Sequence, residues 1–342
     1  MNLELGLTYD DVLLVPQYSE VTSRSDVDIS ANITPSITVD VPIISSNMDT
    51  VTESEMAQAM SDSGGVGILH RFMTPSEQAE EIAQVSGVVG ASVGVNEEYL
   101  ENVQTYLDVG ADFICVDIAH GHLELCLSTV SDIRETYPDV EIIAGNVATA
   151  EAANDLLDAG ADTIKVGIGG GSACRTREVA GVGVPQFTAI QNVVEDTPDS
   201  AHIIADGGIQ KSGDIVKALM GGADAVMVGS FVAKSHEAQG ETVTINGKQY
   251  KEYRGMASTV ARENRTDVGE DNTTSEGAVA RKEIQGTVED ILHQAKGGIQ
   301  SGLSYCGGET IEQARENAEF IRSSNSTITR NGVHNVDEIE GI

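Results

Sequence analysis

Short apolar segments alternate with amphipathic segments along most of the chain. Runs rich in β-branched and apolar residues predict buried strands, and apolar residues at helical spacing predict helices between them. The predicted strands are residues 42–46, 66–69, 88–95, 112–117, 141–146, 162–166, 202–206 and 225–228. The predicted helices are residues 53–63, 74–85, 97–109, 123–137, 150–159, 185–194, 211–220 and 288–302. This alternation predicts an α/β protein whose parallel sheet closes into a (β/α)8, or TIM, barrel.

A three-residue repeat supports the same architecture. Gly-Ala-Asp occurs at residues 110–112, 160–162 and 222–224, each time between a predicted helix and a predicted strand. Glycine directly after a helix favours termination in the left-handed conformation. We expect one structural turn used three times, on the barrel face opposite the chemistry.

Residues 240–286 depart from the alternation. Residues 241–253 predict a hairpin, because Asn246-Gly247 is a typical type I′ turn pair. Residues 262–280 are polar and aperiodic, and a long irregular insertion in a compact domain is usually functional. We therefore expect a hairpin and an active-site flap before the last helix. The predicted organisation is one domain over residues 1–342, with an N-terminal arm (1–40), the flap (about 240–286) and a C-terminal arm (about 327–342).

The charge balance restricts the partners. The chain has 54 acidic and 20 basic residues, a formal net charge of −34, which disfavours binding to nucleic acids and to anionic membranes. Hydrophobic residues make up 40% of the chain, enough for a core, so this is not a disordered acidic chain. We expect a halophilic protein, with an acidic surface adapted to a cytosol in which salt screens its charge.

Compartment signals agree with a cytoplasmic location. The N-terminus lacks the basic and apolar pattern of a signal peptide, and no apolar run approaches membrane-spanning length. The cysteines lack the spacing of a zinc site, so we expect reduced thiols. They are Cys115, Cys126, Cys174 and Cys306.

Polar residues and glycines follow seven of the eight predicted strands. The carboxyl ends of barrel strands share one face, where the active site of such enzymes is built. The candidates are Asn47, Met48, Asp49, His70, Arg71, Asp117, His120, His122, Asn146, Asp206 and the glycines that follow strands. Loops after the seventh and eighth strands commonly bind phosphate. Here they contain Gly207, Gly208, Gly229 and Ser230, and Ser172 can add its hydroxyl.

The most specific stretch is residues 167–177, GIGGGSACRTR. Its glycines permit positive φ and a close approach of the backbone to a ligand. Cys174 and Thr176 then place a thiol and a hydroxyl on the same loop, and a cysteine there is a candidate nucleophile. The alternative is a structural cysteine beside a flexible loop.

GIGGGSACRTR, followed by GVGVPQ, resembles the catalytic loop of the IMP dehydrogenase/GMP reductase family of purine nucleotide oxidoreductases, and the resemblance covers nearly the whole chain. It implies that Cys174 attacks purine C2 and that a nicotinamide cofactor exchanges hydride there. It implies that Asp206 holds the ribose hydroxyls. The other implied substrate contacts are Ser46, Met48, Ser172, Tyr253, Gly255, Met256 and Ala257.

The resemblance also implies cofactors and an assembly. The implied cofactor-binding residues are Asp117, His120, Asn146 and Gly167. The carbonyl oxygens of Gly169, Gly171 and Cys174 match positions that bind a monovalent cation, K⁺, in relatives. Relatives form homotetramers, so we expect one here.

Several features favour the reductase branch. Dehydrogenases usually carry regulatory cystathionine-β-synthase-type repeats after the second barrel helix, whereas residues 85–87 here run directly into the next strand. Thr176 and Glu276 match the pair that handles ammonia in reductases, although both branches can have glutamate at the second position. Dehydrogenases activate water with an Arg-Tyr pair, and Arg265-Thr266 keeps the arginine, a candidate catalytic residue, without the phenol.

Other features favour the dehydrogenase branch. Residues 253–256 and 305–308 resemble it more closely, and Gly170 replaces a proline common in reductases. We expect the chain to be closest to GMP reductase, converting GMP to IMP and ammonia with NADPH. The alternative is IMP dehydrogenase, which makes XMP from IMP with NAD⁺ and water.

Two hypotheses outside the family are alternatives to this interpretation. Another phosphate-binding barrel, such as an aldolase or a flavin enzyme, would use the same two phosphate loops. A non-catalytic nucleotide-binding protein or scaffold would need no cysteine. Neither explains Cys174 and Thr176 on a glycine loop together with a long flap.

Overall fold

The computed structural model describes residues 3–96, 98–259, 261 and 274–328. Its strands are β1 (Val12–Val15), β2 (Ala31–Asn32), β3 (Thr38–Val39), β4 (Ile43–Ser45), β5 (Val66–Leu69), β6 (Val89–Val93), β7 (Phe113–Asp117), β8 (Ile142–Val147), β9 (Thr163–Val166), β10 (His202–Asp206), β11 (Ala225–Val228), β12 (Thr242–Ile245), β13 (Lys248–Arg254), β14 (Val279–Glu283) and β15 (Glu319–Arg322).

Helices lie between these strands. They are α1 (Ser54–Asp62), α2 (Pro75–Ile82), α3 (Tyr99–Asp108), α4 (Glu124–Thr136), α5 (Ala150–Asp158), α6 (Thr176–Val179), α7 (Gln186–Asp196), α8 (Ser212–Met220), α9 (Val288–Tyr305), α10 (Ile311–Glu316) and α11 (Asn325–Ile328). Short 3-10 helices occur at Tyr9–Asp11 and Arg24–Asp26.

Strands β4 to β11 form a closed parallel barrel of eight strands, which confirms the predicted (β/α)8 fold. The barrel closes where β11 pairs with β4, with Val226 opposite Ile43. Helix α9 packs against α8 and α1 and completes the helical layer at this closure. Each predicted barrel strand overlaps an observed one, because every strand is a locally continuous apolar run that must be buried on both faces.

The N-terminal arm contains strands that the sequence pattern did not reveal. β2 and β3 form a hairpin whose Ile33 and Val39 join the apolar cluster inside the barrel, and the Thr163 hydroxyl donates to the Ile33 carbonyl. Since Thr163 begins β9, this hairpin closes the end of the barrel opposite the strand carboxyl ends. Strand β1 pairs with β15, which ties the arm to the C-terminal part of the chain.

The Gly-Ala-Asp repeats form the expected turn. Gly110, Gly160 and Gly222 have φ of 107°, 110° and 114°. The Asp112 carboxylate accepts a hydrogen bond from the Val89 backbone N–H over 2.8 Å. The turn therefore also provides an acceptor for the first N–H group of β6. Asp162 and Asp224 accept the N–H groups of Ile142 and Ile203 in the same way. The repeat is structural, as predicted.

The insertion contains one more strand than predicted. The β12–β13 hairpin turns through Asn246 and Gly247, both at positive φ, as expected. β14 pairs antiparallel with β13, although its first residues were predicted to be irregular. Its side chains are mostly exposed, so no apolar alternation marks it in the sequence. Arg265 and most of the predicted C-terminal arm lie outside the described residues.

Candidate active site

A cavity of ≈ 260 Å³ opens at the carboxyl ends of the barrel strands. The predicted site residues on its wall share one feature, since all follow or end a barrel strand or belong to the insertion. They are Ser46, Met48, Asp117, Asn146, Gly167, Gly169, Gly171, Cys174, Thr176, Asp206, Tyr253, Gly255, Met256, Ala257 and Glu276. The structure therefore gathers catalytic, substrate and cofactor candidates around one space.

A hydrogen-bonded chain of three side chains lies on this wall. The exposed Cys174 thiol donates to Thr176 Oγ1 over 3.2 Å. The Thr176 hydroxyl donates to Glu276 Oε2 over 2.7 Å. A proton leaving the thiol thus has a two-step path to a carboxylate, the arrangement that activates a nucleophile through a neighbouring base.

Backbone pairing brings Glu276 to the cysteine loop. The Arg175 N–H donates to the Glu276 carbonyl over 2.6 Å, and the Ala278 N–H donates to the Ala173 carbonyl over 2.9 Å. A Cβ atom on Gly277 would lie 2.5 Å from the Ser258 nitrogen, so only glycine fits there. The glycine is what allows the flap segment to lie against the loop.

The candidate phosphate residues meet at Tyr253, beside the cavity. The Tyr253 hydroxyl lies 3.4 Å from Ser172 Oγ. A Cβ on Gly229 would lie 2.9 Å from the same hydroxyl, and the Ser230 backbone also hydrogen-bonds to it. Burial raises the pKa of Tyr253, so the phenol stays a neutral hydrogen-bond donor.

The remaining phosphate candidates lie behind the glycine loop. Gly207 has φ of 104° and packs on Gly170, where an added Cβ would come within 3.0 Å. Gly208 packs on the ring of Tyr9. Neither glycine, nor Ser172, Gly229 or Ser230, lies on the cavity wall.

Lys165 was missed in the sequence and lies at the centre of the polar wall. Its Nζ is 2.6 Å from Asp117 Oδ1 and 3.2 Å from Asp206 Oδ2, and it donates a hydrogen bond to Asn146. Asn146 in turn donates to Asp206 over 2.8 Å. The available signal was a lysine inside a short strand, β9, whose other residues are threonine, isoleucine and valine.

Burial and charge act in opposite directions on this cluster. Burial alone would lower the pKa of Lys165, but the carboxylates of Asp117 and Asp206 outweigh it and raise this pKa. Burial alone would raise the pKa of Asp117, but Lys165 and Arg71 hold it below its usual value. The lysine is therefore a permanent cation between two carboxylates.

His120 does not join the cofactor candidates. Its side chain is exposed and does not line the cavity, unlike Asp117 three residues earlier. The strand ends at Asp117, so the loop carries His120 away from the cavity. The neighbouring His122 instead contacts Asp155 over 2.7 Å.

Comparisons with known proteins agree with this geometry. A profile of the family described as "IMP dehydrogenase / GMP reductase domain" matches residues 6–334. An inosine-5'-monophosphate dehydrogenase of Nitrosopumilus maritimus is 36% identical, over 98% of this chain and 99% of that protein. One of Bacillus subtilis is 35% identical, over 97% and 96%. These alignments have 473 and 468 positions, more than the 342 residues of this chain, so both relatives contain segments that it lacks.

A solved structure is similar over the whole fold. It is a cysteine-to-alanine variant of GMP reductase from Trypanosoma brucei in complex with guanosine 5'-monophosphate. The two structures superimpose with a TM-score of 0.93 at 30% identity, over 98% of each chain.

The barrel and its cysteine site define an α/β-barrel oxidoreductase that acts on purine nucleotides with a nicotinamide cofactor. The chain belongs to the IMP dehydrogenase / GMP reductase family. Among the helices of the described residues, none is long and apolar enough to cross a membrane.

Proposed function

We propose that this protein catalyses the NADPH-dependent reductive deamination of GMP to IMP and ammonia. The observation that carries the proposal is the hydrogen-bonded chain from Cys174 through Thr176 to Glu276. Loss of ammonia requires a proton on the leaving nitrogen, and the Thr176–Glu276 pair lies beside the nucleophile that would expel it.

The reaction divides into two covalent steps. The Cys174 thiol passes its proton through Thr176 to Glu276, and the thiolate forms a C–S bond at purine C2. Return of the proton through Thr176 to the 2-amino group lets ammonia leave as the C–N bond breaks. A nicotinamide cofactor held by Asp117, Asn146 and Gly167 would supply a hydride to C2. Breakage of the C–S bond would then release IMP and return Cys174 as a thiolate.

The other wall residues would hold the nucleotide. Asp206, fixed by Lys165 and Asn146, presents a carboxylate to the ribose hydroxyls. The Tyr253 hydroxyl accepts from Ser172 and contacts the Met48 sulfur at 3.8 Å, and it would turn to donate to the phosphate. Met48 and the backbone of residues 255–257 would flank the base.

The cofactor and cation assignments rest on the same wall. Asp117, Asn146 and Gly167 line the same cavity as Cys174 and would orient the nicotinamide. The carbonyl oxygens of Gly169, Gly171 and Cys174 are the type of donor that suits K⁺. The Gly171 carbonyl already accepts the Cys174 N–H over 3.0 Å, so a cation there would stabilise this turn rather than act on substrate.

The second candidate is IMP dehydrogenase, producing XMP from IMP and NAD⁺. The names of the two curated relatives favour it. In that reaction Cys174 would attack C2 of IMP, hydride would leave to the cofactor, and water would release XMP. Glu276 would then serve as a base rather than protonate an amine.

Absorbance of the reduced nicotinamide distinguishes the two reactions. Purified protein is mixed with GMP and NADPH, GMP and NADH, IMP and NAD⁺, or IMP and NADP⁺. We expect a decrease with GMP and NADPH, together with ammonia release. An increase with IMP and formation of XMP, without turnover of GMP, would contradict the proposal and establish the second candidate.

A further inference from the structure

An almost buried ion pair joins the insertion to the barrel. Asp49 follows β4, and Arg254 is the last residue of β13. The Arg254 Nε donates to both Asp49 oxygens, at 3.2 and 2.9 Å, and Nη2 donates to Oδ2 over 2.6 Å. The side chains are only 14% and 9% exposed. Such a forked arginine–carboxylate contact fixes direction as well as distance.

Each partner is adjacent in sequence to a residue of the cavity wall. Asp49 follows Met48, and Arg254 lies between Tyr253 and Gly255, whereas neither partner lines the cavity itself. The Asp49 N–H also contacts the Met256 sulfur at 3.5 Å. The ion pair therefore acts on the ligand only through its neighbours.

Backbone hydrogen bonds attach the ends of this sheet to the barrel, for example from Ala278 to Ala173 and from Gln285 to Lys234, but few side-chain contacts fix the end of β13. In the three described strands β12, β13 and β14, Tyr253 is the one buried side chain. A sheet with so little buried apolar surface gains little positional restraint from packing. The Arg254 N–H adds one bond, to Thr50 Oγ1 over 3.2 Å, next to the ion pair.

We propose that the Asp49–Arg254 pair is a positioning device that sets the distance between Met48 and the segment Tyr253–Met256, and so determines nucleotide affinity. This inference rests on the nucleotide placement of the proposed function but not on the direction of the reaction. Both guanidinium nitrogens, Nε and Nη2, are required to hold the Asp49 carboxylate. A lysine ammonium group at position 254 keeps the charge but cannot make both contacts in this geometry.

The test compares Arg254→Lys and Asp49→Asn with Lys248→Met. Lys248 lies on the same strand and forms an exposed ion pair with Glu283 over 2.7 Å, so it is a matched control. Dissociation constants for GMP and for IMP are measured by calorimetry without cofactor at fixed KCl, together with melting temperatures. KM and kcat are then measured for whichever reaction, GMP reduction or IMP oxidation, the wild-type protein catalyses.

We expect Arg254→Lys and Asp49→Asn to weaken binding of both nucleotides at least tenfold while remaining folded at the assay temperature. KM should rise more than kcat falls, and Lys248→Met should behave as wild type. A merely structural pair would lower the melting temperature and leave the affinity of the folded protein unchanged. Affinity within twofold of wild type in folded Arg254→Lys would overturn the proposal, even if Asp49→Asn does not fold.

Failure of the proposed function gives a different result. If wild-type protein binds neither GMP nor IMP, the nucleotide site itself is wrong. If wild-type protein binds them and both folded variants bind equally well, only the positioning role is wrong.

Discussion

The Thr176 hydroxyl donates to Glu276 over 2.7 Å, although the two residues are 100 positions apart in the chain. Thr176 begins α6 directly after the cysteine loop, whereas Glu276 lies in the insertion just before β14. The bond therefore links Thr176, which contacts the proposed nucleophile Cys174, to a carboxylate that the insertion supplies. In the proposed mechanism, catalysis therefore requires the insertion to be docked on the barrel.

Replacing Cys174 by alanine should abolish turnover and leave nucleotide binding within a few-fold of wild type. The thiol is exposed at the cavity and is the one protein group that bonds to C2 in the proposed mechanism. Turnover is measured by nicotinamide absorbance and binding by calorimetry. A rate above one tenth of wild type would exclude a covalent role for this residue.

Glu276→Gln should reduce GMP turnover by about 10²- to 10⁴-fold, the usual contribution of a positioned acid or base. The amide cannot carry the proton that ammonia departure requires, while the shape of the side chain is kept. Glu178→Gln is the control, since Glu178 pairs with Arg175 on the exposed side of the same loop. Equal effects of the two substitutions would contradict a specific role for Glu276.

Lys165→Met should destabilise the protein by about 3–5 kcal/mol near neutral pH, because it leaves two carboxylates without their buried counter-charge. The lowered pKa of Asp117 contributes stability above its unfolded value of about 3.9, and this contribution is lost as pH falls. The raised pKa of Lys165 contributes stability below about pH 10.4, which is lost as pH rises further.

The difference between wild type and Lys165→Met should therefore be largest between about pH 5 and 9. It should shrink towards pH 4, as Asp117 of the variant takes up a proton. Melting temperatures across this range provide the measurement. A difference that does not change with pH would show that Lys165 contributes by packing alone.

Stability should rise with KCl concentration. At a net charge of −34, repulsion acts over the Debye length, which is about 10 Å at 0.1 M salt and about 3 Å at 1 M. Thermal melts from low to molar KCl test this, with sucrose as a control for solute effects that do not depend on ionic strength. A flat melting temperature across the KCl series would be incompatible with an adaptation to high salt.

We expect a homotetramer in solution, as the family resemblance implied. Light scattering at high KCl, with and without nucleotide, measures the mass directly. The chain mass is 36.0 kDa, so a tetramer should appear near four times this value. A monomeric mass under both conditions would rule the assembly out.

The sequence alone determined the barrel and the face of it on which most candidate site residues lie. Each strand is a short apolar run and each helix carries its own periodicity, so these elements depend on neighbours close in the chain. The glycine loop with Cys174 and Thr176 is equally local, within residues 167–177. Because the carboxyl ends of barrel strands share one face, Asp117, Asn146 and Asp206 could be assigned to that face without any tertiary information.

Only the tertiary structure decided which polar groups meet. Lys165 comes between Asp117 and Asp206 because three different strands point their ends into the same space. Strand β14 forms by pairing with β13. Its own sequence has no apolar alternation that would predict a strand. The Asp49–Arg254 pair spans 205 positions; Asp49 was a strand-end candidate, but nothing in the sequence indicated that Arg254 is its partner. Such contacts depend on how the closed barrel and the folded insertion bring distant segments together, which local periodicity does not encode.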